Sequence, residues 1–109
     1  MNEKLALNIL GALSQETRLR IVRYLVSCGV QGASAGDVGM EVDATSSRVS
    51  FHLSTLENAG VVSSERQSRK IIYRANLANL GGLISFLLND CCNNDPDILA
   101  CCQPGRRRS

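Results

Sequence analysis

Four of the five cysteines lie near the C-terminus as two adjacent pairs, Cys91 with Cys92 and Cys101 with Cys102. The eight residues between the pairs contain a turn-forming Asn-Asp-Pro sequence. The chain can therefore fold back and bring thiols from both pairs together. Because thiolates are soft ligands that select soft acceptors, the two pairs predict a binding site for a thiophilic ion.

Two other uses of these thiols stay open. Four thiolates can hold zinc or cadmium, although structural zinc sites usually take Cys-x-x-Cys pairs rather than adjacent cysteines. Alternatively, a thiol of one pair can form a disulfide with a thiol of the other, which would make the segment a redox switch. The fifth cysteine, Cys28, follows an apolar helical face and is expected to be a small core residue.

A second candidate surface lies on a short amphipathic helix predicted from Ser46 to Asn58. Thr45 can cap its start, Gly60 can end it, and Val49, Leu53 and Leu56 recur at helical spacing on one side. A solvated helix face ordinarily carries Lys and Glu, whereas hydroxyls with one aromatic ring and one guanidinium suit the DNA major groove. The residues predicted to contact DNA are Ser46, Ser47, Arg48, Ser50, Phe51 and Ser54.

A positively charged β-hairpin is predicted directly after this helix. The runs 61–66 and 70–74 are strand-like, the second is rich in β-branched and aromatic residues, and three polar residues separate them. Glu65 is the only acidic residue within the cluster, and four positive side chains fall within nine residues: Arg66, Arg69, Lys70 and Arg74. We expect Arg66, Arg69 and Lys70 to contact DNA phosphates.

The remaining segments are predicted to form helices that support these two surfaces. The first has apolar residues at helical spacing between Leu5 and Leu13, and Ser14 is the expected cap of a second helix. A short third helix begins at Ser34 and forms a helix-turn-helix with the helix from Ser46. The expected buried stripe of the second helix is Leu19, Val22, Leu25 and Val26. The predicted fold class is mainly α with one β-hairpin, and the predicted architecture is a winged helix-turn-helix.

The last predicted helix runs from about Leu77 to Asn89 and is more apolar than a monomer needs. Its stripe contains Leu80, Leu83, Ile84, Leu87 and Leu88, with Phe86 lying off it. Together with the apolar first helix it can form a dimer interface. A two-fold dimer reads two half-sites about 34–36 Å apart, so we expect an inverted-repeat operator in double-stranded DNA.

Composition limits the classes of function. The chain has 109 residues, 44% of them hydrophobic, and a net charge of +2, as expected for one soluble domain. It has no apolar run long enough to span a membrane and no signal-peptide pattern, which predicts a cytoplasmic protein with reduced thiols. It also lacks a glycine-rich phosphate loop and a nucleophile motif, and His52 has no evident acid–base partner, so no enzyme is predicted.

The chain resembles the ArsR/SmtB family of metal- and metalloid-responsive winged-helix repressors. The resemblance lies in residues 13–21, 46–62 and the strand ending Ile72-Tyr73-Arg74, and it extends over about residues 5–90. It implies a homodimeric repressor that leaves its operator when an ion binds. Two sensor positions of the family lack ligands here: residues 35–40 contain no Cys-x-Cys pair, and residues 77–88 contain no His, Asp or Glu.

The C-terminal thiols resemble the vicinal-thiolate sensor of some arsenic repressors, although the spacing differs and a fourth cysteine is present. Trivalent arsenic or antimony binds up to three thiolates, so Cys91 and Cys92 with either Cys101 or Cys102 would suffice. Methylarsenite needs only two thiolates and remains an alternative effector. No resident cofactor is expected. Residues 1–90 are thus the predicted DNA-binding and dimerisation domain and residues 91–109 a metalloid-binding tail, which ends in the basic run Arg106-Arg107-Arg108.

Overall fold

The computed structural model describes residues 1–102. The elements, in chain order, are α1 (Glu3–Leu13), α2 (Glu16–Cys28), a 3₁₀ turn (Gly29–Gln31), β1 (Ala33–Ser34), α3 (Ala35–Val42), α4 (Ser46–Asn58), β2 (Val62–Gln67), β3 (Lys70–Ala75), α5 (Leu77–Phe86), a π-helical turn (Leu87–Cys91) and α6 (Pro96–Cys101). The predicted winged helix-turn-helix is confirmed. Within this range no helix is both long and apolar enough to cross a membrane.

The helix-turn-helix consists of α3 and α4, and both helices begin at their predicted caps. The Ser34 hydroxyl accepts a hydrogen bond from the backbone N–H of Asp37 at 3.2 Å, and the Thr45 hydroxyl accepts one from Arg48 at 3.4 Å. Asp43 ends α3 in a left-handed conformation with φ 55°. Side-chain acceptors thus satisfy one otherwise unpaired N–H group at the start of each helix.

The buried side of α4 is the centre of the hydrophobic core. Val49, Leu53 and Leu56 have exposed fractions of 1% or less, as their spacing predicts. The core around them draws on the other helices and the start of β2, and its largest fully buried members also include Ile9, Ile21, Leu25, Val38 and Val61. Since its buried side is held by every neighbouring element, α4 presents the opposite side to solvent.

The buried stripe predicted for α2 is partly wrong. Leu19 and Val26 are 47% and 45% exposed, whereas Ile21 is fully buried beside Val22 and Leu25. At about 100° per residue, Ile21 and Val22 lie within ~60° of Leu25, but Val26 and Leu19 lie about 100° and 120° away. The pattern contained two possible stripes, and the core uses the one that includes Ile21.

The first helix boundary also differs from the prediction. Ser14 is not the cap of α2, because its hydroxyl donates to the Gly11 carbonyl at 2.9 Å and so closes the end of α1. Gln15 caps α2 instead, and its side-chain oxygen accepts a hydrogen bond from the Arg18 N–H at 2.8 Å. Gln is a poor cap by ordinary preference, which is why the sequence favoured the serine.

The apolar stripe predicted for the last helix is partly confirmed, because Leu83 is buried and Leu80 and Leu87 pack against the core. Phe86, expected off the stripe, packs against the core, whereas Ile84 is 55% exposed. Leu83 is buried at the centre of this face, and at about 100° per residue Phe86 lies ~60° from it and Ile84 ~100° away. The helical run continues past the predicted end at Asn89, because the π-helical turn extends it to Cys91.

The sheet contains the predicted hairpin and one strand that the sequence did not reveal. β2 and β3 pair antiparallel around a two-residue turn, Ser68-Arg69, with Gln67 opposite Lys70. β1, only two residues long, pairs with β3 through Ala33 opposite Tyr73 and Ser34 opposite Ile72. The strand order is therefore β1-β3-β2, and β1 supports only the base of the hairpin.

Gly32 yields the first prediction, because its position requires glycine. Its φ and ψ are 65° and −162°, a region almost restricted to glycine, and an added Cβ would lie 2.5 Å from the Tyr73 carbonyl oxygen. Gly32→Ala should lower the free energy of unfolding by about 2–4 kcal/mol in urea titrations. The control is Gly36→Ala in α3, which meets only the Ser34 hydroxyl at 3.8 Å and should be neutral or raise stability by up to about 1 kcal/mol. Equal effects of the two substitutions would contradict this role for Gly32.

Candidate functional site

The outward face of α4 carries the residues predicted to contact DNA, and all of their side chains are exposed: Ser46, Ser47, Arg48, Ser50, Phe51 and Ser54. Phe51 is the most apolar of them and is 64% exposed. Among residues 1–102 the Arg48 guanidinium has no hydrogen-bond or ion-pair partner. The face therefore offers several hydroxyls, one ring and one unpaired positive charge to a ligand.

A chain of side-chain contacts links this face to α2. The Arg18 guanidinium donates through Nε to the Ala12 carbonyl at 2.7 Å and lies 3.4 Å from His52 Nδ1 through NH1. The His52 ring in turn meets the Phe51 ring edge to face, with centroids 5.6 Å apart and planes at 63°. His52 is therefore a half-buried, hydrogen-bonded residue that supports Phe51.

The electrostatic setting of His52 favours its neutral form. Partial burial is the main cause that lowers the pKa of His52, and the positive charges of Arg18 and Arg48 lower it further. A neutral imidazole can accept a hydrogen bond from Arg18 through Nδ1, whereas a protonated one would add a third positive charge to the cluster.

The start of α2 borders the same surface, which the sequence did not predict. Gln15 and Thr17 line a shallow groove with Ser47, Arg48 and Phe51. No motif links residues 15–17 to the α4 face, because their proximity arises only when α2 packs across α4 in the folded domain. The exposed surface around Phe51 is thus built from two helices.

The hairpin, or wing, presents three of its four positive residues to solvent. Arg66, Arg69 and Lys70 are exposed near the turn. Arg74 instead holds the base of the wing, because its Nε donates to the Val30 carbonyl and its NH1 binds the Glu65 carboxylate, each at 2.6 Å. The Arg74 hydrogen bond is also the main reason that the pKa of Glu65 is lowered.

A direct hydrogen bond joins the wing to α4. The Ser64 hydroxyl of β2 donates to the Glu57 carboxylate at 2.6 Å. Glu57 lies near the end of α4, so the bond helps to fix the wing relative to the exposed helix face. The two predicted DNA-contacting surfaces therefore belong to one connected unit.

The chain reverses between the two cysteine pairs. Asn93 and Asn94 both adopt a left-handed φ of 54°, and the Asp95 N–H closes the turn on the Cys92 carbonyl at 3.1 Å. The Asp95 carboxylate then caps α6 by accepting from the N–H groups of Asp97 at 2.9 Å and Ile98 at 3.4 Å. Asparagine is among the few residues that tolerate this backbone region, so the reversal follows from the sequence.

The thiol of Cys92 interacts with those of Cys91 and Cys102. A hydrogen bond with the Cys91 thiol raises the pKa of Cys92, and partial burial and the charges of Cys91, Asp95 and Cys102 add to this effect. Cys101 is exposed at the last residue of α6. Across residues 1–102 no three His, Cys, Asp or Glu side chains form a group that could hold a metal ion. The predicted basic run 106–108 lies outside the described residues.

Comparison with known proteins shows that the chain is similar to bacterial transcriptional regulators. A family model described as "bacterial regulatory protein, arsR family" matches residues 15–64. The transcriptional repressor SdpR of Bacillus subtilis is 30% identical over 91 residues, which cover 84% of this chain and 98% of that protein. The structure of an ArsR-like transcriptional regulator from Rhodococcus sp. RHA1 is 28% identical with a TM-score of 0.73, and the match covers 92% of each chain.

A second similar structure shares the fold at lower identity. It is the homodimeric winged helix-turn-helix DNA-binding domain of Mb0332 from Mycobacterium bovis, 20% identical with a TM-score of 0.62. The match covers 84% of this chain and 85% of that one.

The lowered pKa of His52 predicts a pH-dependent stability. The unfolded chain binds a proton at His52 at higher pH than the folded chain, so the contribution of His52 to the free energy of unfolding is present above its unfolded pKa of about 6.5 and is lost as the pH falls below it. Urea titrations between pH 7.5 and 5.5 should show this loss in the wild type and a smaller loss in His52→Gln, which keeps an acceptor for Arg18. An identical pH dependence in both proteins would contradict the assignment.

Proposed function

Since the chain belongs to the arsR family of bacterial regulatory proteins, we propose that it is a homodimeric, cytoplasmic repressor that leaves its operator when trivalent arsenic or antimony binds its C-terminal thiols. Its relatives are transcriptional regulators rather than enzymes. The observation that carries the effector proposal is the turn after Cys92, beyond which Cys102 of the second pair lies close enough to act electrostatically on Cys92, the hydrogen-bond partner of Cys91.

The DNA contact is proposed for α4 and the wing. In this arrangement the outward face of α4 enters the major groove of double-stranded DNA, and Arg66, Arg69 and Lys70 contact phosphates beside it. The exposed, unpaired Arg48 and the exposed wing residues support this assignment. The Ser64–Glu57 hydrogen bond supports joint docking of the two elements.

The dimer is proposed to form through α1 and α5. These helices contact each other, and each exposes large apolar side chains, Leu7 and Leu10 on α1 and Ile84 on α5. Exposed apolar side chains on two helices in contact are typical of a protein interface. A two-fold interface here would repeat the α4 face and wing on both sides, which suits an inverted-repeat operator.

The chemistry of the effector site follows from the thiols. Cys91, Cys92 and a third thiol, Cys102 or Cys101, would each form one sulfur–arsenic bond. The hydrogen of each thiol leaves with one hydroxyl of arsenous acid as water, so the product carries no net charge. Residues 90–102 contain Asp90, Asp95 and Asp97 and neither Lys nor Arg, a setting that does not penalise a neutral product.

Zinc or cadmium fits the same segment less well. Four thiolates around a divalent ion carry a net charge of −2 beside three carboxylates. Like charges so close together raise the free energy of the complex. The neutral product formed with arsenic or antimony avoids this repulsion, and we therefore favour the metalloids over the divalent metals as effectors.

Coupling to DNA is proposed to pass through the π-helical turn. Cys91 is the last residue of this turn, and Leu87, its first residue, packs against the core next to α5. Because the described thiols do not form a three-ligand site, binding requires that the tail rearrange. π-helical turns often occur at functional sites, and a change in this one would shift α5 and with it the proposed dimer interface. The effector thus acts by preferring a dimer geometry that fits DNA poorly.

The phosphate contacts predict the salt dependence of DNA binding. Arg69→Ala should weaken binding to operator and random duplexes alike and reduce the slope of log affinity against log salt by about one unit per bound protomer. The measurement is fluorescence anisotropy between 50 and 300 mM salt, roughly the range over which phosphate contacts are screened. Arg23→Ala on α2, an exposed arginine outside both surfaces, is the matched control and should change neither quantity. A slope unchanged by Arg69→Ala would remove the wing from the interface.

The thiol site predicts which variants lose release. Cys92→Ser should bind operator DNA as the wild type does but fail to leave it when arsenite or antimonite is added, because serine oxygen does not replace a thiolate. The double variant Cys101→Ser/Cys102→Ser should lose release by arsenite yet keep release by methylarsenite, which needs two thiolates. Cys28→Ser, a change at the half-buried cysteine of α2, is the control and should respond normally.

Other outcomes identify the competing effectors. If arsenite still released the Cys92→Ser variant from operator DNA, the proposed thiol site would be wrong. Release of the wild type by zinc or cadmium alone would replace the metalloid with a divalent metal. Release only by an oxidant, reversed by dithiothreitol, would make the thiols a redox switch.

A further inference from the structure

Phe51 stands out on the surface as a large apolar side chain in a polar setting. Its ring is 64% exposed, and the neighbouring outward residues of α4 are serines, an arginine and an asparagine. Leaving a phenylalanine ring in water forgoes the free energy of burying it. The ring lies outside the hydrophobic core and is available for burial by a ligand.

The position of Phe51 on α4 directs the ring to the middle of the outward face. At about 100° per residue, Ser47 and Ser54 lie ~40° and ~60° to one side of Phe51, and Arg48 lies ~60° to the other. The buried residues Val49 and Leu53 lie on the opposite side of the helix. Phe51 therefore lies near the middle of the surface that α4 would present to a groove.

The ring is also held in a defined orientation. His52 contacts it edge to face at 5.6 Å between centroids, and Arg18 and partial burial hold His52 in turn. An aromatic pair of this geometry is favourable beyond its buried area. A side chain held in place before binding loses less conformational entropy on binding, which suits it to discriminate between bases.

We propose that Phe51 is a specificity residue that packs against the C5-methyl group of a thymine at a fixed position in each operator half-site. This inference rests on the proposed DNA contact of α4. Among the base edges of the major groove, thymine alone presents an apolar group, and phenylalanine is one of the side chains that contact it. The flanking serines can bond to any base, so the ring supplies discrimination that they lack.

The test removes single methyl groups from DNA. High-affinity duplexes are first selected from a random library with the full-length wild-type protein. Each thymine of a selected duplex is then replaced by deoxyuridine, which lacks only the methyl. One thymine per half-site should show a loss of about fourfold in affinity, or about fifteenfold when both half-sites are changed, as expected for the removal of one buried carbon each.

The protein variants assign that loss to a residue. Phe51→Ala should bind the thymine and deoxyuridine duplexes equally, whereas Ser54→Ala, the matched change on the same face, should keep the full methyl sensitivity. Both positions are exposed, so neither substitution is expected to affect folding, and circular dichroism checks this.

Two results would overturn the inference alone: methyl sensitivity that persists in Phe51→Ala, or selected sites in which no thymine is sensitive. Failure to select any sequence-specific duplex, with the salt-dependent contact of Arg69 also missing, would overturn the DNA contact itself. Sequence-specific binding without methyl sensitivity leaves the repressor proposal standing and removes only the role of Phe51.

Discussion

The burial of one stripe on α4 is the constraint on which the rest of the structure depends. Val49, Leu53 and Leu56 are enclosed by residues from the other helices and the sheet, so α4 cannot rotate about its axis without exposing them. At about 0.8 kcal/mol for each buried methylene group, such a rotation would cost several kcal/mol. The side that carries Ser47, Arg48 and Phe51 is thereby fixed toward solvent, and the wing is tied to the same helix by Ser64 and Glu57.

The features that the sequence predicted well are those set by local chemistry. Ser34 and Thr45 cap helices because their hydroxyls fit the backbone there, and the wing follows from β-branched residues on either side of a short turn. The exposed face of α4 was predicted because its buried side has a single consistent spacing. Each of these inferences needed only residues close together in the chain.

The features it missed depend on contacts between distant residues. β1 has two residues and forms only because β3 offers a free edge, and the exposure of Leu19 was decided by which face of α2 met the core. Arg74 belongs by sequence to the positive cluster of the wing, but its contacts with the Val30 carbonyl and the Glu65 carboxylate place it at the base. The thiols combine both kinds of feature, because the turn at Asn93 and Asn94 follows from local residues, whereas the position of Cys102 relative to Cys92 depends on the chain beyond that turn.

The short length of β1 has a mechanical consequence for the wing. β1 pairs with β3 only at Ile72 and Tyr73, so the base of the wing is three strands wide while its tip, from Arg66 to Ile71, is a two-stranded ribbon. Two-stranded ribbons are marginally stable by themselves. The tip can therefore bend on a stiffer base, which would let Arg69 and Lys70, the proposed phosphate contacts, adjust to DNA whose groove width varies with sequence.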